Sequence, residues 1–410
     1  MKRTGIKCLF IAIILLAVTS ETTGCTIAVI GRHVTSDNRP MLWKNRDVSY
    51  IDQHFNYFEP IIRNGRQLHG YIGNHYRADS TRIYMGANDA GFAIINSNTY
   101  NLGDSLLVGI DDGTLMRLAL ETCAKLADFE RLLDSTNVTG RIDCWNFGVI
   151  DANGRAALYE CANHYWVAYY ATADTPIIVR SNFSMCGGEP RAGDIRYKRA
   201  VELLSSLPKS QGVTPSFLLY NLSRDIANEY DNPLPLPYNR SQNGAPEGYV
   251  LVRNSLNNLF SLSASVIRGT APYENPRFTL IYAILGYPVM SLAYPLWVGS
   301  GSVPIYLNSD TTAPMVNIVT SRISQFFDNS QWQGYGNSRF LLDNYGNGVY
   351  SYTLPAERAA IYFADSCQAV WDSMPPTSMD ISVAQWQIAN RLFNSFRSGT
   401  AMWIKRPLDQ

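Results

Sequence analysis

An α+β chain in which layered sheets carry helices on their outer faces is what the order of patterns along this sequence predicts. Three observations point there. Strand-like runs closed by turn residues crowd the stretch 24–182, interrupted by one helical region; apolar residues at three- and four-residue spacing mark helices at 115–133 and 196–207; and strand-like runs return over 257–268 and 278–285.

The first two strands lie at 24–31 and 41–47, joined by the polar turn Thr35-Ser36-Asp37-Asn38-Arg39-Pro40. Hairpin pairing would bring Asp47, at the end of the second strand, to the start of the first. Mixed aromatic and turn residues fill 48–82 without a clear period, a composition suited to lining a pocket. A second hairpin spans 82–100 about the turn Asp89-Ala90-Gly91. Leu115, Leu118, Leu120, Cys123, Leu126, Phe129, Leu132 and Leu133 mark a helical region, with a break expected near Asp128. Strands flank the turn Asp151-Ala152-Asn153-Gly154 within 145–162, and others follow at 166–170 and 176–182. Helices are predicted over 196–207 and 216–228. Beyond about Pro314 the chain turns to Ser, Asn, Gly and aromatic loops and ends in an amphipathic helix over 383–396. The main domain therefore reads as 25–313, with 314–410 a C-terminal extension or cap.

The first 24 residues have the three parts of an export signal: Lys2, Arg3 and Lys7, an apolar run over 9–18, and small residues before a possible cut after Gly24. That run is well short of the roughly 20 residues a membrane-spanning helix needs. No later stretch reaches that length without Pro, Gly or charge, so the expectation is an exported chain, periplasmic or extracellular, without a transmembrane span. Formal net charge is zero and only 17% of residues are charged, which leaves no excess of basic residues to replace phosphate counterions on a nucleic acid. Cys25, Cys123, Cys144, Cys161, Cys186 and Cys367 show no C-x-x-C spacing and no His partners at ligand spacing, so neither a metal nor another cofactor is expected. With Cys8 lost in the leader and Cys25 set aside, five cysteines remain and cannot all pair. Their disulfide pairing is open, and a buried free thiol is the default.

Cys25 draws the chemistry together. If the leader is cut before it, one residue carries both a thiol and a free α-amine. A cysteine attacks as thiolate, and an α-amine of ordinary pKa about 7.7 to 8.0 can take the proton from a thiol of about 8.5 and later return it to a leaving amine. Histidine then has no necessary part, which suits a chain whose five histidines end at His164. Two other readings of Cys25 exist: the lipidated first residue of a lipoprotein, which would supply a lipid anchor, and an inert cysteine. Thr22-Thr23-Gly24 is a poor version of the box that precedes a lipidated cysteine.

Cys25-Thr26, Asn45, Asp47, the run from Asn88 to Asn98, and Arg196, taken in this order, resemble the N-terminal-nucleophile cysteine hydrolases. The similarity is to the choloylglycine hydrolase and penicillin V acylase group and the related acyl-CoA:6-aminopenicillanic acid acyltransferase-like proteins, and it covers roughly 25–285. It implies a four-layer αββα sandwich and a small-molecule substrate with a linear amide bond.

The resemblance also implies roles. The family's Arg-Asn-x-Asp run corresponds to Lys44-Asn45-Arg46-Asp47, so Asp47 would hold the free amine and Lys44 would stand where an arginine tunes the thiol. Lysine keeps the charge but loses the planar fork. Gly91-Phe92-Ala93-Ile94-Ile95-Asn96-Ser97-Asn98 places Asn98 at the oxyanion-hole asparagine, with Asn96 on the same strand face. Asn182 stands at a second catalytic asparagine, although it also opens an Asn-Phe-Ser sequon. Arg196, in Arg196-Tyr197-Lys198-Arg199, matches the late arginine. The structural alternatives are a turn residue for Asp47, a solvated strand residue for Lys44, strand-end caps for the asparagines and a first-turn helix charge for Arg196. Gly103-Asp104-Ser105-Leu106 copies the serine block of another esterase group, which also needs a late histidine that this chain lacks. The expected activity is amide hydrolysis through an acyl-thioester, with acyl transfer at the same site or a non-catalytic lipoprotein as alternatives; the oligomeric state is open.

Overall fold

The computed structural model describes residues 24–103, 108–208, 210–327 and 333–404, with side chains to 399. The leader and the Asp104-Ser105-Leu106 part of the esterase-like run lie outside the described residues.

Two antiparallel sheets lie face to face. The first contains β1 (Thr26–Ile30), β2 (Met41–Asp47), β10 (Ile177–Arg180), β11 (Ser261–Arg268), β12 (Leu280–Leu285) and β13 (Tyr294–Trp297), in the order β10-β1-β2-β11-β12-β13. The second contains β3 (Gln53–Phe58), β4 (Tyr71–Tyr76), β5 (Met85–Asn88), β6 (Ala93–Asn98), β7 (Trp145–Ile150), β8 (Ala156–Cys161) and β9 (Trp166–Tyr170), in the order β9-β8-β7-β6-β5-β4-β3. Side-chain alternation on the second sheet shows how it is sandwiched. Ala93, Ile95, Ala156 and Leu158 enter the core shared with the first sheet, while Ile94, Phe147, Val149, Ala157 and Tyr159 enter a separate core beneath α1 (Asp112–Thr122) and α2 (Leu126–Thr139).

Helices on the far side of the first sheet complete the fourth layer. α3 (Asp194–Ser206) buries Arg196, Ala200 and Leu204, spaced by four on one face. α4 (Tyr350–Trp371) and α5 (Ser378–Ile404) pack on each other and on β13. The stretch after 313 thus contributes Ala360, Ile361, Ala364, Ile381, Ile388, Leu392 and Phe396 to the same core as β1 and β2.

Several elements differ from the sequence reading. The helix break falls at Cys123–Lys125 because Asp128, in the first turn of α2, accepts from the Ala124 and Lys125 backbone N–H groups, both at 2.9 Å. The helix expected over 216–228 is only a short turn at Pro215–Phe217 and a π-turn at Leu218–Leu222, since Ser223 and Arg224 leave the helix to bond neighbouring segments. The 48–82 stretch holds β3 and β4. The loops expected before the last helix contain α4, which holds Pro355 near its start. All six described cysteines are free.

Candidate active site

The hairpin that opens the chain sets the geometry. Thr26 pairs with Asn45 and Ile27 with Lys44, so Asp47 lies beside Gly24, just ahead of Cys25, as hairpin pairing required. The pleat then assigns faces. Lys44 and Arg46 point between the sheets, with Ile27, Val29 and their β11 neighbours Ser263 and Ser265, which bond Gln53 and Met85 of the second sheet. Asp47 and Thr26 point to the helical side. By the same alternation the Cys25 side chain faces the second sheet. One cysteine at the head of β1 is thus served from both faces, the thiol side by Lys44 and the main-chain nitrogen side by Asp47.

Arg196 organises the helical side. Its Nη1 donates to Asp47 Oδ2 at 2.8 Å, to Thr26 Oγ1 at 3.3 Å and to the Gly24 carbonyl, and its Nη2 donates to Asn182 Oδ1 at 2.6 Å. Gly193, the residue before α3, makes this approach possible. It has φ +75°, and a side chain there would meet Ser181 and the Arg196 guanidinium. A side chain at Gly24 would collide with the Asn182 amide. Asp47 is buried and receives two further hydrogen bonds, from Asn258 Nδ2 at 2.7 Å and Ser261 Oγ at 2.6 Å. Burial pushes its carboxyl upward, opposed by Arg196, Ser261 and Asn258.

Asn182 is 1% exposed, which excludes a glycan on its side chain in the folded protein. Its Nδ2 donates to the Asn98 carbonyl at 3.1 Å, so the two asparagines expected at the oxyanion site are in direct contact. Asn98 itself is half-buried and its side chain bonds the Tyr100 hydroxyl, a phenol raised by burial and next by the proximity of Cys25. The Cys25 carbonyl accepts from Ser181 Oγ at 3.4 Å.

On the thiol side Lys44 is buried, and its ammonium donates to the Tyr84 carbonyl at 2.8 Å and to Asn96 Oδ1 at 2.5 Å. Burial lowers its pKa to about 8, and Cys25 is the foremost group opposing that fall. A solvated strand residue is therefore the wrong description of Lys44. Arg199, the second arginine of the late motif, is engaged elsewhere, bonded to Asp225 at 2.7 Å. The 48–82 stretch does not line the cleft at the head of β1. That cleft, about 710 Å³, is bounded by Gly24, Asp47, Arg191, Arg196, Arg253 and Phe260 among others.

The structure therefore gathers Asp47, Asn182 and Arg196 around Gly24-Cys25, ties Asn98 to them through Asn182, and sets Lys44 against the opposite face. The sequence reading missed Asn258, Ser261, Tyr100 and Asp112. Only Ser261 had a recoverable signal, as the first residue of a strand predicted a few residues too long.

Residues 34–182 match the family model of acyl-coenzyme A:6-aminopenicillanic acid acyl-transferase. This chain is similar to the N-terminal-nucleophile hydrolase group that contains that family. The matched stretch takes in Lys44, Asp47, Asn98 and Asn182, begins after Cys25 and ends before Arg196. Among solved structures, penicillin V acylase from Agrobacterium tumefaciens is similar at 16% identity over 67% of this chain and 86% of that one, with a TM-score of 0.39. A variant of conjugated bile acid hydrolase from Clostridium perfringens is similar at 10% identity over 67% and 92%, with a TM-score of 0.41. No curated protein matches the sequence. Among the described residues, no helix is long and apolar enough to cross a membrane, and no group of three or more His, Cys, Asp or Glu is placed to hold a metal ion.

Proposed function

We propose that this protein is an exported amidase that cleaves a linear amide of an N-acyl or peptide-like small molecule, with Cys25 as its N-terminal nucleophile. One observation carries the reading: the Arg196 guanidinium bonds at once to the Gly24 carbonyl, Asp47 and Asn182, so the peptide bond that must break and the groups that would hold the new amine share one buried cation.

Loss of the leader frees the Cys25 amine on the side of Asp47. The amine takes the thiol proton, and the thiolate, favoured by the Lys44 ammonium, attacks the amide carbon. A C–S bond forms and the carbonyl electrons move to oxygen. Asn98 and Asn182 amides, with backbone N–H groups, receive that oxyanion, an interaction worth a few kcal/mol in comparable sites. The protonated amine then gives its proton to the leaving nitrogen as the C–N bond breaks. Water resolves the thioester, releases the acid and restores the thiol.

The match to an acyl-transferase family supports a second reading, in which an amine or thiol acceptor replaces water in the last step. A diacylglyceryl thioether on Cys25 would remove the nucleophile, and acylation of its amine would remove the base, because an amide nitrogen takes no proton.

The deciding experiment measures intact mass and N-terminal sequence of the protein recovered outside the cytoplasm, then assays N-acyl amino acids, bile-salt conjugates, phenoxyacyl amides and short peptides with and without an added amine acceptor. A chain beginning at unmodified Cys25 that releases acid supports the amidase. Partition toward the acceptor supports transfer, and a lipid mass on Cys25 overturns both.

A further inference from the structure

The thiol side of the site continues into a buried chain of polar groups. Lys44 Nζ donates to Asn96 Oδ1 at 2.5 Å, and Asn96 Nδ2 donates to Asp112 Oδ2 at 2.8 Å. Lys44 and Asn96 are 1% and 2% exposed, and Asp112, the first residue of α1, is buried with them. β5 begins at Met85, which pairs with Ile95, so the place beside Asn96 is left to Tyr84, whose carbonyl accepts a second hydrogen bond from Lys44 Nζ. The lysine thus passes the end of β5 to reach a residue that faces the outer helices.

We propose that Asn96 and Asp112 are positioning residues for the Cys25 thiol, the Asp112 carboxylate fixing the Asn96 amide so that its oxygen holds the Lys44 ammonium beside Cys25. This rests on Cys25 being the reactive group of the site. An ionised carboxylate only accepts and an ammonium only donates, so a single orientation of Asn96 satisfies both. Turning the amide would set NH₂ against ammonium and oxygen against carboxylate. An arginine at position 44 would hold its charge unaided, since guanidinium does not deprotonate in proteins. A buried lysine does not, and here burial has lowered it to about 8. The relay answers that weakness.

The groups facing Asp112 are the Lys44 ammonium from β2, the Asn96 amide from β6, Tyr84 ahead of β5 and Asp111, the residue that caps its helix, the last opposed by Arg82 at 3.5 Å. The groups whose charge acts on Lys44 are Cys25, Arg46 and Asp112 on its own side of the sheet and Asp47 on the other. Burial raises Asp112 to about 6, so at neutral pH it is ionised and able to orient the amide.

The test is the rate of iodoacetamide alkylation at Cys25 against pH, read by peptide mass mapping, with exposed Cys186 as internal control. Asn96→Leu changes no charge, and the relay requires its Cys25 alkylation at pH 7 to fall about tenfold, as expected for loss of one nearby opposite charge, while Cys186 is unaffected. Asp112→Asn separates the relay from simple electrostatics. Removing a carboxylate near a thiol would by itself favour thiolate and speed alkylation, whereas loss of the relay slows it. In Lys44→Met, adding Asn96→Leu should slow the reaction no further. Unchanged or faster alkylation in a folded Asn96→Leu or Asp112→Asn, or slowing that adds in full to Lys44→Met, overturns the inference. Should Asn96→Leu fail to fold, the nearly isosteric Asp112→Asn decides alone. Alkylation needs no turnover, so a protein that alkylates as expected yet hydrolyses no amide keeps the relay and overturns the amidase.

Discussion

Arg196 and Asp47 depend on each other. Their side chains are 10% and 2% exposed, and the 2.8 Å contact is flanked by Asn258 and Ser261 on the carboxylate and Asn182 on the guanidinium. Removing one partner of a buried pair strands the other charge, so Arg196→Ala should lower stability by about 3–5 kcal/mol in urea unfolding and abolish turnover. Asn98→Ala should behave differently. On the proposed mechanism it removes an amide needed only once charge develops on oxygen, so kcat should drop roughly 10²–10³-fold with KM little changed; a raised KM at unchanged kcat would sink that role. Lys44 supplies a pH signature. Its folded pKa, about 8, lies below the ordinary 10.5 because burial disfavours the charge. The stability this confers is complete above pH 10.5 and lost as pH falls through 8. The difference in unfolding free energy between Lys44→Met and wild type should therefore move in favour of the variant by up to ~3 kcal/mol over that window; a flat difference would show that the lysine is not buried as charge.

At the scale of elements, the β1–β2 hairpin was legible because its information is local. A polar turn between two apolar runs fixes the pairing, and pairing fixes Asp47 beside Gly24. What alternation could not show was the partner across the sheets. Gly148 on β7 faces Val29 on β1, and a Cβ there would lie 2.8 Å from Val29 Cγ2 and 3.0 Å from Ile95. This glycine lets the second sheet approach β1 just beyond Cys25. Gly148→Val should force the sheets apart, lowering stability by about 1–3 kcal/mol and slowing turnover even though it touches no site residue; unchanged activity at full folding would show that the approach is not needed. The reading of 216–228 as helix failed for a related reason, since Ser223 and Arg224 bond to Trp43 and to the Pro288 carbonyl, far away in sequence.

For the molecule as a whole, the last hundred residues hold the first sheet's outer face. Arg224 and Glu357 form a buried pair at 2.7 Å, with Glu357 also accepting from the Ala293 backbone at 2.6 Å, and Gln385 accepts from the Trp297 backbone at 2.8 Å. Truncation before Ser378 should therefore expose the face of β13 and lower the midpoint of urea unfolding. Retention of a folded, active 25–377 fragment would show that α5 is separable. The sequence by itself determined the hairpin, the cysteine at its head, the aspartate beside it and the lack of any late histidine, because these rest on alternation, turn chemistry and composition, which act over a few residues. Only the tertiary structure decided that Arg196 binds Asp47, that Asn258 and Ser261 also bond its carboxylate, and that Asn96 bonds Lys44 and Asp112. Those contacts join residues as far as 214 positions apart, and at that distance no local pattern reports which polar side chain meets which.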